Sequence, residues 1–271
     1  MKRKRKIPLV VLSDVHLGTY GCQAKELLQY LKSIQPQMLV LNGDIIDMWS
    51  FSKSYFPASH MNVLRQIIKM SNQGTRVIYI TGNHDEALRK YSDFILGNFE
   101  LADKLILDLD GKKTWIFHGD VFDSSTKGYA KILAKLGGKG YDLLILINSL
   151  INWFLVLLGK EKRSYSKMIK DSVKKAVSFV SNFETTAAEI AIQKKYSYVI
   201  CGHIHKPQMK EVENEHGKVM YLNSGDWVEN LTALEYKKEK WRIYQYKRSD
   251  YLDLENKEDK IVNDIVTKIL S

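Results

Sequence analysis

Residues 9–16 of this chain read Leu-Val-Val-Leu-Ser-Asp-Val-His, an apolar run that ends in a carboxylate and an imidazole. The run predicts a buried strand, and side chains two positions apart on a strand point to the same side. Asp14 and His16 can therefore reach one metal ion from the end of that strand. Taken alone, so short a pair favours a simpler interpretation, a strand that stops at two polar turn residues.

The same arrangement, an apolar strand followed by polar residues, recurs along the chain. Further strands of this kind are predicted at residues 38–41, 76–80, 114–117 and 198–201. Helical spacing of apolar residues separates the first three strands, over 23–35 and 60–72, and Pro36 is expected to end the first helix. This alternation predicts a parallel sheet with helices on its faces, in which sites lie at the carboxyl ends of the strands.

The C-terminal part of the chain has a different pattern. Three short strands are predicted at 219–222, 231–236 and 241–246, and they are expected to form an antiparallel set. Beyond residue 257, apolar residues again have helical spacing, which predicts a terminal helix packed on the body.

Potential metal ligands follow five of the predicted strands. They are Asp14, His16, Asp44, Asn83, His118, His203 and His205. A buried polar group left unpaired costs roughly 1–3 kcal/mol, so a sheet edge filled with such groups needs a compensating ligand. Imidazole, carboxylate and amide without thiolate suit Mn, Fe or Zn.

Two ions can share Asp44 within this set. Asp14, His16, Asp44 and His205 can serve the first ion, and Asp44, Asn83, His118 and His203 can serve the second. Two divalent ions beside two carboxylates leave an excess of positive charge, which attracts a phosphate group. A metal-free scaffold that binds partners through a basic surface would be expected to lack some ligands, and none of the seven is missing.

The five blocks resemble those of the calcineurin-like metallophosphoesterases. They are Asp14-x-His16, Gly43-Asp44-x-x-Asp47, Gly82-Asn83-His84-Asp85, His118 and Gly202-His203-x-His205. The resemblance implies a two-sheet α/β sandwich flanked by helices, and two divalent ions, most often Mn, on the seven ligands. It also implies catalytic roles for His84 and Asp85, with His84 stabilising the transition state or protonating the leaving group.

A narrower resemblance is to the UDP-2,3-diacylglucosamine pyrophosphatases of lipid A synthesis. It is carried by Gly43-Asp44-x-x-Asp47-x-Trp49, His118-Gly119-Asp120, Gly128-Tyr129 and Gly225-Asp226-Trp227. That family cleaves its nucleotide-linked lipid to UMP and 2,3-diacylglucosamine 1-phosphate. The resemblance implies substrate contacts from Asn83, His84, Tyr129, Lys175 and His203.

Two positions depart from this narrower family, and one of them lies near Thr126, where its best-known members have an acidic residue. His84 stands where its best-known members have arginine. The alternative is therefore a phosphodiesterase or phosphatase that acts on another phosphorylated or nucleotide substrate. Arg89 or Lys90 could replace the missing positive charge, although a solvated helix start explains them more simply.

The chain divides into a catalytic domain over residues 1–122 and 196–271 and a helical insertion over 123–195. Residues 143–158 of the insertion carry no charge, and a membrane span needs about 20 such residues. A single span would also put His118 and His203 on opposite sides of the membrane. We therefore expect a cap that contacts acyl chains or the membrane surface, with a buried core helix as the alternative.

The composition indicates an anionic partner and a reducing compartment. The formal net charge is +10, which suits an anionic membrane surface; no aromatic and basic pattern of the kind that stacks bases suggests nucleic acid. Two cysteines form no disulfide framework, and the apolar run after the basic start is too short for a signal peptide. We expect a cytoplasmic protein, peripheral on the inner face of the membrane, of undetermined oligomeric state.

Overall fold

The computed structural model describes residues 4–50, 55–125, 180 and 182–251. Within these ranges, the strands in chain order are β1 (Arg5–Leu12), β2 (Ile34–Asn42), β3 (Arg76–Ile80), β4 (Ile95–Leu96), β5 (Phe99–Ala102), β6 (Lys104–Leu109), β7 (Lys112–Phe117), β8 (Tyr198–Cys201), β9 (Gln208–Asn214), β10 (Gly217–Asn223), β11 (Thr232–Lys237) and β12 (Lys240–Gln245). The helices are α1 (Ala24–Ser33), α2 (Ala58–Asn72) and α3 (182–193).

These strands form two sheets. The first has seven strands in the order β12-β11-β1-β2-β3-β5-β4, and the second has five in the order β6-β7-β8-β10-β9. The strands β1, β2 and β3 are parallel, as their alternation with helices predicts. In the second sheet β7, β8 and β10 are also parallel to one another. Several parallel strands of both sheets therefore end on one side of the molecule.

Alternating side chains of β1 show how the sheets are layered. Leu9 and Val11 pack between the two sheets, against residues of the second sheet such as Ile116 and Ile200. The neighbours of Leu9 and Val11 on β1 point the other way, into the core under α1 and α2. Burial on both faces requires a nearly continuous apolar run, which is what residues 9–12 supply.

Helices cover the outer faces of both sheets. Leu27 and Leu31 of α1 and Val63 and Ile67 of α2 are buried on the first sheet. On the second sheet, α3 buries its Phe183, Ala187, Ala188, Ala191 and Ile192. The layers are helix, sheet, sheet and helix, which confirms the predicted α/β sandwich with two sheets flanked by helices.

The predicted antiparallel set is wrong in one member. The strand β10 lies in the second sheet, parallel to β8, whereas β11 and β12 form a hairpin that extends the first sheet. In β10, Val219 and Tyr221 pack under α3, and Leu222 packs between the sheets. All three predicted strands are similarly apolar, so their sequence pattern does not distinguish the sheet that each one joins.

Pro36 does not mark the end of a helix. The helix α1 ends at Ser33, and Pro36 lies within β2, opposite Ile7 of β1. The neighbouring strand β3 pairs with β2 only from Met38 onward. On the side that faces β3, Pro36 therefore lies before the first paired residue of β2. The missing backbone N–H of Pro36 is tolerated there because no strand pairing requires it.

Part of the predicted insertion lies outside the described residues. This holds for the uncharged run 143–158, for Tyr129 and for Lys175, as it does for the terminal helix predicted beyond residue 257. The described end of the insertion, α3, packs on the second sheet. No helix within the described ranges is both long and apolar enough to cross a membrane.

Candidate metal centre

The carboxyl ends of strands from both sheets bring six of the seven predicted ligands together. Asp14, His16 and Asp44 come from the first sheet, and His118, His203 and His205 come from the second. Ligand atoms lie within 4.8 Å of one another in two outer groups, Asp14–His16–His205 and Asp44–His118–His203, and in a middle group, His16–Asp44–His84. These residues are far apart in sequence and meet only because the two sheets are stacked.

The first group lies at the end of β1. The Nε2 of His205 is 3.2 Å from the Oδ1 of Asp14 and 3.4 Å from the Nε2 of His16. Both oxygens of Asp14 accept the backbone N–H of His203. The carboxylate of Asp14 therefore joins the first sheet to the loop that carries both histidines of the second.

The second group is built around His118. Its Nδ1 lies 2.9 Å from the carbonyl oxygen of Asn42, which can only accept a hydrogen bond. The proton is therefore on Nδ1, and Nε2 faces Asp44, whose Oδ2 is 3.3 Å away. This is the orientation in which an imidazole offers a lone pair to a metal ion.

Asp44 lies between the two groups. Its Oδ1 accepts the backbone N–H of His84 at 2.8 Å, while its Oδ2 faces His118. The side chain is buried, and it is the carboxylate in both the middle group and the second group. Its position fits a ligand shared by two cations.

The backbone of the predicted ligands is strained. Positive φ angles between 52° and 64° occur at Asp14, His16, Asp44, His203 and His205. A residue with a Cβ pays roughly 1–3 kcal/mol for such a conformation, which persists only when the surroundings impose it. Five positive φ angles, at the strand ends of both sheets, indicate that the loops are shaped to direct their side chains to a common point.

Glycines beside the ligands allow this close packing. A Cβ on Gly43 would overlap the imidazole of His118, one on Gly82 would overlap Asp44, and one on Gly202 would overlap Asp14. Each glycine therefore leaves room for a ligand from a neighbouring strand, which explains its place directly before a ligand-bearing turn.

Gly43→Ala is expected to weaken cation binding and turnover by roughly 100-fold, because the new methyl group displaces the His118 ring. Gly111→Ala is the matched control. Both glycines have a φ near +80°, but nothing lies within 4 Å of a Cβ at Gly111. The two variants share the backbone strain and differ only in the steric overlap. Equal Mn²⁺ affinities by isothermal titration calorimetry would contradict the prediction.

Mutual attraction between carboxylates and imidazoles determines the charges in the cluster. Burial opposes charge on His118, but the carboxylates of Asp44 and Asp14 outweigh it and raise the pKa of His118 to about 10. In the same way, Asp14 overcomes burial and raises the pKa of His205 to about 9. Burial would raise the pKa of Asp44, yet His118 holds it well below its usual range. A cation that binds here must displace protons from the imidazoles.

Asp47 orients two of the histidines. Its Oδ2 lies 3.3 Å from the Nδ1 of His16 and 2.9 Å from the Nδ1 of His84, so both rings present Nε2 to the cluster. Burial would raise the pKa of Asp47, but its hydrogen bonds with these rings lower it. The sequence places Asp47 in the motif Gly43-Asp44-x-x-Asp47. Its spacing from Asp44 is the signal that could identify it as part of the site.

Asp226 supports the opposite side of the cluster. Its carboxylate accepts backbone N–H groups from the loop after β10, at residues 228–230, and lies 3.7 Å from the Nδ1 of His205. The signal in the sequence was the motif Gly225-Asp226-Trp227, to which no role was assigned.

Asp85, which was predicted to be catalytic, lies behind the cluster. Its fully buried carboxylate accepts hydrogen bonds from the backbone N–H groups of Ile45 and Gly82 and from the hydroxyl of Tyr79. Burial, with the nearby Asp44, raises its pKa. These hydrogen bonds make Asp85 a support of the turn that carries Asn83 and His84, and its catalytic role stays a prediction.

The residues present fit a pair of divalent cations. Carboxylates and imidazoles converge in three adjoining groups, of which the middle one shares His16 with the first group and Asp44 with the second. The Oδ1 of Asn83 is buried and accepts no hydrogen bond from the residues that the structure describes. A buried amide oxygen without a donor is costly, and a cation would satisfy it. Tyr129 and Lys175, the remaining predicted substrate contacts, lie outside the described residues.

Comparisons with known proteins identify the family of this chain. The sequence model of the calcineurin-like phosphoesterase family matches residues 7–207. A Neisseria gonorrhoeae protein named UDP-2,3-diacylglucosamine hydrolase is 29% identical over 231 residues, which cover 84% of this chain and 92% of that protein. A Histophilus somni protein of the same name is 25% identical over 227 residues, covering 83% and 94%. The solved structure of an archaeal phosphodiesterase aligns with a TM-score of 0.43 at 15% identity, over 88% of this chain and 98% of that one.

Proposed function

Because this chain belongs to the calcineurin-like phosphoesterase family, and is therefore a metal-dependent phosphoester hydrolase, we propose that it cleaves the pyrophosphate bond of UDP-2,3-diacylglucosamine. The products are UMP and 2,3-diacylglucosamine 1-phosphate. The observation that supports the reaction type is the place of Asp44, which belongs to the second group and also to the middle group, where it meets His16 of the first group. The substrate is supported by the relatives named for it, which align over about nine tenths of their length.

The chain itself provides positions, charges and orientation. Asp14, His16, Asp44 and His205 would hold one cation, and Asp44, Asn83, His118 and His203 would hold the other. Two divalent ions, proposed to be Mn²⁺, supply Lewis acidity and an activated water when bound. With both ions bound, the excess of positive charge beside two carboxylates would attract the diphosphate of the substrate.

His84 is placed to act on the leaving group. The Oδ2 of Asp47 lies 2.9 Å from its Nδ1, so its Nε2 faces the cluster, and the ring of Trp49 lies tilted against it at a centroid distance of 4.1 Å. A protonated imidazole held in this way can stabilise the developing charge on the leaving phosphate or give it a proton. It supplies positive charge at the position where the best-known members of the narrower family have arginine.

His84→Gln is expected to reduce kcat by roughly 10²–10⁴-fold, the usual contribution of a general acid, while two cations per chain remain bound. Metal analysis of the purified variant, alongside its turnover, checks both parts. His216→Gln is the control, because His216 is an exposed histidine on the β9–β10 hairpin. Loss of a cation from His84→Gln would instead make His84 a ligand, as its place in the middle group would allow.

The substrate is tested by measuring UMP release from UDP-2,3-diacylglucosamine with Mn²⁺, in parallel with hydrolysis of an aryl phosphodiester. We expect UMP release with a kcat/KM at least about 100-fold above that for the aryl ester, since remote contacts contribute to the reaction of the true substrate. Aryl ester hydrolysis without UMP release would overturn the lipid substrate and leave a phosphodiesterase that acts on another phosphorylated compound.

A lipid substrate places the enzyme at a membrane. We propose that the protein is cytoplasmic and binds the inner face of the membrane peripherally, through its positive net charge and the predicted insertion. Cosedimentation with vesicles rich in anionic lipid, and its absence with neutral vesicles, is the expected result. Equal binding to both would contradict the electrostatic part of the proposal.

A further inference from the structure

Arg89 makes several polar contacts close to the proposed metal centre, although it is not one of the proposed ligands. It lies in the 3-10 turn Glu86–Tyr91, directly after the turn that carries Asn83 and His84. Its Nη2 donates to the Oδ2 of Asp120 at 2.8 Å, and its Nε donates to the Oγ1 of Thr81 at 3.3 Å. Its Nε also lies 3.5 Å from the Oδ1 of Asp103.

These contacts join the two sheets beside the second ligand group. Thr81 follows β3 of the first sheet and lies two residues before Asn83. Asp120 follows β7 of the second sheet and lies two residues after His118. Asn83 and His118 are both proposed ligands of the second cation, and they come from different sheets. The hydrogen bonds of Arg89 thus connect the two loops whose side chains must converge on one cation.

The charges around Arg89 favour a positioning role over direct binding of substrate. Its side chain is 36% exposed, that of Asp120 is only 11% exposed, and that of Asp103 is 53% exposed. Two carboxylates already face the one guanidinium group, so little positive charge is left for a phosphate. Without Arg89, the mostly buried Asp120 would lose its cation, and a buried charge left unpaired is unfavourable.

We infer that Arg89 is a positioning residue that holds the Asn83 and His118 loops in register for the second cation. The inference rests on the proposed function, in which the centre binds two cations. Arg89 does not touch the reacting groups in this account. It lowers the free-energy cost of bringing together ligands from two sheets. Groups that hydrogen-bond to metal ligands and orient them have the same effect in other metal sites.

The test is Mn²⁺ binding to the full chain by isothermal titration calorimetry, with Arg89→Met as the variant. Methionine keeps the unbranched stem and removes the charged fork. We expect the first Mn²⁺ to bind with unchanged affinity and the second about 10-fold more weakly or worse. The electron paramagnetic resonance signal of a coupled Mn²⁺ pair should appear only at correspondingly higher Mn²⁺ concentration. At saturating Mn²⁺, kcat should return to within about twofold of the unsubstituted protein, because Arg89 does not contact the substrate.

Three further variants test the same interaction. Asp120→Asn should weaken the second Mn²⁺ similarly, and the double variant should be no worse than either single one, since both remove the same interaction. Arg76→Met is the matched control: Arg76 pairs with Glu100 at 2.8 Å on the surface, at the start of β3 away from the cluster. It should leave both Mn²⁺ affinities unchanged.

Other results would overturn the inference. Normal binding of both Mn²⁺ ions with a raised KM for substrate in Arg89→Met would make Arg89 a substrate contact. Equal weakening of both ions, together with a lower Tm, would make it a general structural residue. If the unsubstituted protein itself binds fewer than two Mn²⁺ ions, the proposed function fails first, independently of Arg89.

Discussion

Asp44→Asn is expected to lose Mn²⁺ from both sites and to reduce turnover on the order of 10⁴-fold, as removal of one member of a catalytic unit does. The side chain lies between the two ligand groups, so one substitution affects both. Asparagine keeps the size of the side chain and an oxygen for the backbone N–H of His84, which bonds to Asp44 at 2.8 Å. Loss of metal should therefore not be a consequence of unfolding. Metal content and turnover of the purified variant are the measurements.

Asp108→Asn is the control for this experiment. Asp108 is an exposed aspartate near the end of β6, where it accepts the backbone N–H of Gly111 in the turn to β7. The same chemical change there should leave metal content and turnover as they are. If Asp44→Asn retained two Mn²⁺ ions, Asp44 would not be a shared ligand, and the proposed arrangement of the centre would have to be abandoned.

Glu235→Gln is expected to lower the free energy of unfolding by about 3 kcal/mol, because it leaves the guanidinium groups of Arg5 and Arg242 without the buried carboxylate that balances their charge. Glu235 is completely buried on β11. Its carboxylate pairs with Arg5 at 3.0 Å and with the Nε of Arg242 at 2.9 Å, and it accepts the hydroxyl of Tyr30 at 3.0 Å. It therefore links β1, α1, β11 and β12 at the end of the fold where the chain starts its first strand. Urea unfolding followed by tryptophan fluorescence measures the change.

The matched control is Glu100→Gln. Glu100 also pairs with an arginine, Arg76, at 2.8 Å, but that pair is largely exposed. Exposed pairs contribute about 0–1 kcal/mol, so Glu100→Gln should leave the unfolding midpoint nearly unchanged. The proposed cation sites do not involve Glu235, and the folded variant should keep its Mn²⁺ content. Equal effects of the two substitutions would show that burial of Glu235 is not what makes its pairs important.

The order of elements near the start of the chain was predictable for a clear reason. Buried parallel strands must be apolar on both faces, so runs such as residues 9–12 and 38–41 stand out from the helices between them. The short strands β4, β5, β6 and β9 were not predicted. In β6, for example, exposed and half-buried residues alternate over only six positions, and such short patterns are weak signals.

The residues that converge in the cluster were predictable, but the geometry that supports them was not. A histidine or aspartate directly after an apolar strand is visible in the sequence, and Asp14, His16, Asp44, His118, His203 and His205 were found in this way. The φ angles near +55° at several of these residues have no sequence signal, because the strain is imposed by contacts with other strands. The same is true of Asp47, whose position between His16 and His84 appears only in the folded chain.

The sequence by itself determined which chemical groups this protein can offer, and at which strand ends. It did so because apolar strands and polar ends follow local rules of burial and periodicity. Only the tertiary structure decided how those groups are combined: that β10 joins the second sheet, that Asp85 accepts the hydroxyl of Tyr79, and that Arg89 meets Asp120. These outcomes depend on how two separately ordered sheets stack, which is a matter of contacts between residues far apart in the chain.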